Sequence, residues 1–239
     1  MNIPILYEDQ DLLVLNKPAG LMVHGDSRSK EETLVDWVNV SYPMLKDVGE
    51  PIKLNDGSQI QKSGIVHRLD KETSGVILIA KNQETYEYLK QQFKDRLISK
   101  VYTAIVWGNI KNETGIIDAP IARSKNDFRQ WSAQRGKRGE EREAVTEYKV
   151  LKRFKINEES VTVIKVMPKT GRTHQIRVHM KFLNNPVVCD SLYAPNKPCP
   201  VLGLSRLALH ANSIEFKLPK GEMKIIEAPI PDDLKSFLD

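Results

Sequence analysis

A group of ionisable residues stands directly before the most apolar short segment of the sequence. Residues 64–82 read GIVHRLDKETSGVILIAKN and place His67, Arg68 and Asp70 ahead of GVILIA. Charged groups are costly to bury unless they are paired or have a function. An ionised, oriented carboxylate at such a place suits a nucleophile or a base acting at an anomeric carbon. The structural alternative is that Asp70 caps the amides of the following TSG segment in an ordinary turn.

A second compact basic motif lies at residues 170–179 and reads TGRTHQIRVH. Its candidate donors are Arg172, His174, Gln175 and Arg177. They surround the predicted start of a helix, and a helix start favours anions. If Arg177 lies against Asp70, two charges about 4 Å apart attract by roughly 4 kcal/mol at an effective dielectric near 20, which would keep the carboxylate ionised. A structural ion pair or a plain phosphate contact is the alternative for Arg177.

The absence of their motifs excludes several familiar kinds of site. The sequence contains no GxGxxG, GxxxxGK[ST] or GxSxG, so a dinucleotide site, a P-loop and a nucleophile elbow are not expected. HRLD lacks the spacing of the kinase HRD loop. His174 and His179 are five residues apart, which does not place them on one helix face as metal ligands. We therefore expect no bound metal.

These motifs need rigid elements to position them, and the hydrophobic pattern predicts such elements. Runs rich in apolar, β-branched or aromatic residues predict strands at residues 12–17, 75–80, 100–108, 146–154, 161–167 and 213–218. Spacing and capping residues predict helices at residues 33–40, after Asn82, from His174 and after Pro231. One face of the helix after Asn82 is expected to carry Tyr86, Leu89, Phe93 and Leu97.

The order of these elements predicts an α+β fold. Strands come singly or in adjacent pairs with few helices between them, which favours a mixed, mostly antiparallel sheet flanked by helices and loops. Residues 46–63 are polar and carry turn residues, so they are expected to form a loop. With no repeat and no break in composition, residues 1–239 are expected to form a single catalytic domain.

Residues 123–143 form the most basic segment of the sequence. They hold seven arginines and lysines against four acids, together with Phe128 and Trp131. We expect an exposed basic loop or hairpin. Arg135, Lys137 and Arg138 are its candidate contacts to nucleic acid backbone, and the aromatic residues could stack on unpaired bases. A merely solvated surface is the alternative for such a run of charges.

Composition and termini narrow the cellular setting. The formal net charge of +5 and a pI of about 9.0 permit a polyanionic partner without demanding one. Cys189 and Cys199 are expected to be reduced thiols, although one disulfide stays open. The N-terminus has no basic region typical of a signal peptide, and no apolar run is long enough to span a membrane. A cytoplasmic monomer is the expectation.

Four motifs together resemble the RluA-like pseudouridine synthases. They are NKPAGLMVH, HRLDKETSG, KVYTAIVWG and TGRTHQIRVH, and they occur in that family's order. A weaker match continues at RLALHA, residues 206–211. Two departures are CDSLYA at residues 189–194, where the family has Gly-Asp-x-x-Tyr-Gly, and Thr170, where the family commonly has an acid. The N-terminal S4 RNA-binding domain of many relatives is expected to be absent.

The resemblance implies an isomerase that converts uridine in RNA to pseudouridine without a cofactor. Asp70 corresponds to the family's essential aspartate, Arg177 to its basic partner and Tyr102 to the tyrosine proposed to take the C5 proton. The target base must be flipped out of the folded RNA. Arg68 is the motif residue that takes up space near the flipped nucleotide, and His67 lies beside it. The structural alternative is that Tyr102 is an ordinary aromatic residue of a strand, without a role in the reaction.

Three questions stay open at the level of sequence. The chain could be a non-catalytic RNA-binding or ribosome-assembly protein. It could be a glycosidase-type hydrolase that releases uracil, although that chemistry usually needs a second carboxylate, and no motif supplies one. The resemblance does not name the RNA, since relatives act on ribosomal or transfer RNA.

Overall fold

The computed structural model describes residues 1–25, 31–53, 57, 59–156 and 158–238. Its elements, in chain order, are β1 (Ile5–Glu8), β2 (Leu12–Lys17), α1 (Leu34–Ser41), β3 (Ile52–Lys53), β4 (Gln59–Ile60), β5 (Ser74–Ala80), α2 (Gln83–Lys94), β6 (Ser99–Trp107), β7 (Thr114–Asp118), β8 (Ile121–Arg123), β9 (Trp131–Ser132), β10 (Arg138–Arg142), β11 (Val145–Ile156), β12 (Glu159–Pro168), α3 (Gln175–Phe182), β13 (Leu209–Lys217), β14 (Met223–Glu227) and α4 (Asp232–Lys235). A single 3-10 turn, Pro43–Leu45, follows α1.

The chain folds as two compact units. The first unit comprises Met1–Ser99 and Ser213–Ala228, and the second comprises Lys100–Asn212 and Pro229–Asp239. Strand β13 therefore begins in the second unit and ends in the first. That residues 1–239 make a single domain stays a prediction.

The first unit is built on the antiparallel strands β1, β2 and β5. Strand β2 runs beside β5 with Leu12 opposite Ala80 and Lys17 opposite Gly75. Every residue of β5 is buried, as its unbroken apolar sequence requires. Helix α2 contributes Tyr86 and Leu89 to the hydrophobic cluster, and the β13–β14 hairpin contributes further apolar side chains. The turn before β5 is thus attached to a rigid sheet.

The second unit contains an antiparallel sheet in the order β6-β12-β11-β7. Buried side chains of β6 and β12 form its core, and α3 adds Ile176, Val178 and Met180. A separate small sheet has the order β10-β8-β9 and carries much of the basic segment. The described ladders within each unit are antiparallel, so the α+β prediction is confirmed.

Most predicted elements are confirmed, and the structure differs from the prediction at three places. Leu97 does not belong to α2, because the helix ends at Lys94 and Leu97 is 63% exposed. The predicted loop at residues 46–63 contains the short ribbon of β3 and β4, while residues 54–56 and 58 lie outside the described residues. Strands β1, β7 and β14 were not predicted, because each has several exposed positions. Within the described residues, no helix has the length and apolar character needed to cross a membrane.

Candidate active site

Asp70 lies in a tight turn that leads into β5. The amide of Thr73 donates to the main-chain carbonyl of Asp70 at 3.1 Å, and β5 begins one residue later at Ser74. Leu69 is buried and anchors the turn, Asp70 is half-buried, and Arg68 is exposed. The sequence therefore folds so that the carboxylate has a fixed main-chain support while the neighbouring guanidinium faces solvent.

Lys17 joins this turn to the first motif. Its side chain is completely buried, and its Nζ donates to the carbonyls of Pro18 at 2.8 Å, Leu21 at 2.7 Å and Lys71 at 3.0 Å. The amide of Gly20 donates to the same Lys71 carbonyl at 2.9 Å. Lys17 therefore holds the NKPAG turn against the residue that follows Asp70. Sequence reasoning missed this role, although the lysine stands inside the quoted motif.

Replacement of Lys17 by methionine is expected to destabilise the protein by about 3 kcal/mol or more, because one buried and two partly buried carbonyls lose a charged donor. Urea denaturation measures the change. The matched control is Lys71→Met, because Lys71 forms an exposed ion pair with Glu31 whose loss should cost about 1 kcal/mol or less. Equal destabilisation by the two variants would contradict the role of Lys17 in holding the NKPAG turn.

His67 is positioned by the sheet itself. Its Nε2 accepts a hydrogen bond from the amide of Leu78 at 2.9 Å, and its ring lies 4.9 Å from that of Phe93. The imidazole thus caps a main-chain amide of the buried strand β5. This arrangement favours a positioning role for His67 over the direct RNA contact expected from the sequence.

His24, at the end of the NKPAGLMVH motif, is an unusual group of the first unit. Its Nδ1 is buried and has no hydrogen-bond partner among the described residues. Burial, together with the positive charges of Arg68 and Lys62, lowers the pKa of His24 to about 4. The imidazole is therefore neutral at physiological pH, close enough to Arg68 to respond to its charge.

Acid is expected to destabilise the protein partly through His24. Because its pKa is about 4 in the folded chain, below the ordinary 6.5, the unfolded state binds more protons between these values. Stability should therefore fall as the pH is lowered from about 6.5 to 4. His24→Asn removes this contribution. As the pH is lowered from neutral to acid, the denaturation midpoint of the wild type should therefore fall relative to that of the variant. A constant difference would show that His24 does not titrate in this way.

In the second unit, α3 presents Arg177 to a buried acid. The Nε of Arg177 lies 2.8 Å from Oδ2 of Asp190, and its Nη2 lies 2.8 Å from Oδ1. Oδ1 of Asp190 also accepts hydrogen bonds from the main-chain amides of Leu192 at 3.0 Å and Tyr193 at 2.9 Å. The guanidinium lies over the Tyr193 ring, 4.9 Å from its centre. Arg177 is therefore fixed on two sides.

This partner was not foreseen from the sequence. We expected Arg177 to pair with Asp70, and that contact stays a prediction. The described ion pair is made with Asp190 of CDSLYA. Although this turn departs from the family pattern at both ends, it keeps the aspartate and the tyrosine three residues apart. That spacing was the signal that could have identified Asp190 and Tyr193.

The loop before α3 is organised by Gln175 and Thr170. Gln175 is buried, and its Oε1 accepts from the Thr170 hydroxyl at 2.7 Å and the Arg172 amide at 2.9 Å. Its Nε2 donates to Val145 and Thr146 in β11. This arrangement favours a positioning role for Gln175 over the RNA contact that we expected. Thr170, at the place of the family's acid, preserves the loop through its hydroxyl.

The remaining predicted donors of this loop are partly engaged within the protein. The Nε of Arg172 donates to the carbonyl of Glu143 at 2.9 Å. His174 has a left-handed main chain with φ of 54°, and its Nδ1 lies 2.9 Å from the Tyr193 hydroxyl. His179 is buried with one ring nitrogen 2.8 Å from the Thr146 hydroxyl. Among the described residues, no group of three or more potential ligands could hold a metal ion.

Tyr102 lies in β6 opposite Val166 of β12 and packs against the core of the second unit. Its ring is half-buried. Register and packing therefore fix the ring, although they do not test its expected role as the acceptor of the C5 proton.

The basic segment belongs to the small sheet, in which β8 and β9 form a hairpin and β10 pairs with the other edge of β8, so the predicted hairpin is confirmed only in part. Arg135 and Arg138 are exposed, and neither has an ion pair or side-chain hydrogen bond within the described part of the chain. Lys137 differs, because its Nζ donates to the Pro120 carbonyl at 2.8 Å and lies 3.1 Å from Glu141. Lys137 is thus partly used in holding the small sheet, while the two arginines present their charge to solvent.

The expectation of reduced thiols is wrong in this structure. Cys189 and Cys199 form a disulfide, with their Cα atoms 5.2 Å apart. This separation lies within the range that a disulfide spans, and the turn between the two residues brings them together. Spacing along the sequence could not show that the chain folds back here. The bond adjoins Asp190, the partner of Arg177.

Comparison with known proteins identifies the family. The model of the RNA pseudouridylate synthase family matches residues 11–182. The uncharacterised RNA pseudouridine synthase YlyB of Bacillus subtilis is 37% identical over all of this chain and 73% of its own length. The ribosomal large subunit pseudouridine synthase D of Borreliella burgdorferi is 39% identical over 99% of this chain and 68% of its own length.

The fold agrees with this result. The structure of human RNA pseudouridylate synthase domain containing 1 has a TM-score of 0.74 at 26% identity and covers 100% of this chain and 86% of its own. Human RNA pseudouridylate synthase domain containing 4 has a TM-score of 0.72 at 27% identity, covering 97% and 90%. With a family match that spans most of the motifs and relatives that align over the full chain, this protein is a member of the RNA pseudouridine synthase family and an isomerase of uridine in RNA.

Proposed function

We propose that this enzyme isomerises uridines of large-subunit ribosomal RNA and that Asp70 is its essential group. The placement of Asp70 carries the proposal, because Lys17 and the buried strand β5 hold its turn rigidly. A carboxylate that must act on one atom of a ribose needs such preorganisation. The RNA class is supported by the relative from Borreliella burgdorferi, which is named a ribosomal large subunit pseudouridine synthase.

The reaction needs no net change in the atoms of the RNA. Asp70 acts on the ribose of a flipped uridine, either by attack on C1′ or by removal of a ribose proton. The N1–C1′ bond breaks and leaves either a bond between Asp70 and C1′ or a glycal with the ribose proton on Asp70. The uracil turns, and C5 bonds to C1′ while the bond to Asp70 breaks or the ribose proton is returned. The proton then leaves C5, and N1 of the turned base takes up a proton. Tyr102 is proposed to take the C5 proton. A free tyrosine is only about 0.1% ionised at pH 7, so its anion needs a nearby cation, and Arg177 is the candidate. The enzyme is proposed to act as a cytoplasmic monomer without a cofactor.

Incubation of the purified protein with separate transcripts tests this function. The transcripts are large-subunit ribosomal RNA, small-subunit ribosomal RNA and transfer RNA, each followed by chemical mapping of pseudouridine. Modification of the large-subunit transcript at discrete positions, in the presence of a chelator, is the expected result. Exclusive modification of another RNA would overturn the substrate assignment, and release of free uracil would indicate a hydrolase.

A further inference from the structure

A cleft of about 350 Å³ opens in the second unit between the basic segment and α3. Residues 124–126 and 130–137 of the basic segment form one wall, and Val178, Lys181, Phe182 and Tyr193 form the other. Ligand pockets in proteins typically have volumes of roughly 300–1,000 Å³. The cleft is therefore large enough for one small group, such as a nucleotide.

The charge of this cleft is one-sided. Lys125, Arg135, Lys137 and Lys181 line it, and none of its described lining residues is acidic. Lys137 is engaged with Pro120 and Glu141. Lys125, Arg135 and Lys181 form no ion pair with any residue that the structure describes. Three uncompensated cations around a concave surface favour a polyanion with a phosphate at this place.

The cleft also offers surfaces on which a base can stack. Trp131 is half-buried with the Arg123 guanidinium 4.2 Å from the centre of its ring. Phe182 is 40% exposed, although it ends a helix whose other apolar residues are covered. Aromatic rings beside cations are the usual means of holding unpaired nucleotides, and stacking tolerates any base.

The two walls are tied together rather than free to separate. The amide of Trp131 donates to the Tyr193 hydroxyl at 3.0 Å, and the Gln130 side chain donates to the Leu192 carbonyl at 2.8 Å. Tyr193 in turn lies under the Arg177 guanidinium. The cleft is preformed, and through Tyr193 its wall contacts the Arg177 side chain that pairs with Asp190.

We propose that this cleft binds one unpaired nucleotide of the substrate RNA, distinct from the uridine that reacts. Its phosphate lies among Lys125, Arg135 and Lys181, and its base stacks against Trp131 or Phe182. The reacting uridine belongs elsewhere, because the described lining includes none of Asp70, Tyr102 and Arg177. The proposal rests on the RNA substrate proposed above, but not on which RNA is modified.

Tryptophan fluorescence tests the proposal directly. In a Trp37→Phe, Asp70→Asn background the remaining tryptophans are Trp107, which is 2% exposed, and Trp131. Large-subunit ribosomal RNA, transfer RNA and a uridine oligonucleotide are titrated separately, with polyglutamate as a different polyanion. We expect RNA to quench the emission of Trp131 at saturation and polyglutamate to leave it unchanged.

A triple variant tests the phosphate contact. Lys125→Ala, Arg135→Ala and Lys181→Ala together should weaken RNA binding at least ten-fold and reduce the slope of log affinity against log salt by about one. In the Asp70-containing enzyme the same variant should lower kcat/KM mainly by raising KM. The matched control replaces three exposed lysines of the second unit outside the cleft, Lys111, Lys149 and Lys155, by alanine.

Each outcome decides the question. Equal weakening by the control triple variant would overturn the site, as would RNA binding without quenching of Trp131. Quenching by polyglutamate as strong as by RNA would assign the cleft to an acidic protein instead. If wild-type enzyme modifies none of the transcripts while RNA still quenches Trp131, the proposed function fails and the cleft stands. Thermal unfolding of each variant separates loss of binding from loss of folding.

Discussion

Replacement of Asp70 by asparagine is expected to lower pseudouridine formation at least about 1,000-fold, because the amide can neither attack a carbon nor accept a proton as the carboxylate does. RNA affinity should stay within about two-fold of the wild-type value, since the two side chains have the same shape and the turn is held by its main chain. Initial rates of tritium release from [5-³H]uridine-labelled RNA and a filter-binding titration measure the two effects separately.

Glu72→Gln is the matched control for Asp70→Asn. Glu72 lies two residues away in the same turn, and its replacement by glutamine removes the same charge. No role is assigned to Glu72. Its rate should stay close to that of the wild type. If Asp70→Asn kept its activity, or if Glu72→Gln lost activity to the same extent, the role of Asp70 would be refuted. If RNA affinity fell in proportion to the rate, Asp70 would be a binding residue and not the essential group of the reaction.

Replacement of Asp190 by asparagine should have the largest effect on stability. The new amide group places donors against the buried Arg177 guanidinium, which then loses the counter-charge of Asp190. Breaking a buried pair in this way costs about 3–5 kcal/mol. Since Arg177 is also the proposed partner of the reaction, the rate of pseudouridine formation should fall as well. Urea denaturation and initial rates under folding conditions give the two values.

The pair formed by Arg206 and Asp233 provides a matched control. It has the same two-point geometry, with both contacts at 2.7 Å, but Asp233 is 38% exposed. Asp233→Asn should therefore cost about 1 kcal/mol or less. Adding Arg177→Met to Asp190→Asn should restore part of the stability, because the buried guanidinium that lost the Asp190 carboxylate is removed, but none of the activity. If Asp190→Asn alone were as stable as the wild type, the stabilising role of the Arg177–Asp190 pair would be refuted.

The elements that support the site could be predicted because their signals are local. An unbroken apolar run predicted β5, and Asn82 predicted the start of α2, where its side chain accepts the amide of Thr85 at 2.9 Å. The motif residues Asp70 and Arg177 followed from their types and from the resemblance. Residue type and short spacing contain this information without any knowledge of the tertiary structure.

The partners of those residues could not be predicted in the same way. Asp190 meets Arg177 across 13 positions of sequence, and Lys17 meets Lys71 across 54. Such pairs depend on how the chain folds back, as does the bond between Cys189 and Cys199. Gln175 was expected to contact RNA because an amide near a basic motif resembles a donor. Only its burial shows that its hydrogen bonds are used within the protein.

The division of the chain between its two units has a consequence for biosynthesis. The hydrophobic cluster of the first unit includes Ile214, Phe216 and Ile226, and that of the second includes Leu234 and Phe237. A nascent chain emerging from the ribosome therefore cannot complete the first cluster before Ile226, or the second before Phe237, has been translated. Partly closed clusters expose apolar surface and strand edges, which favour aggregation. This enzyme is thus expected to depend on chaperones during translation more than a protein whose units are contiguous in sequence.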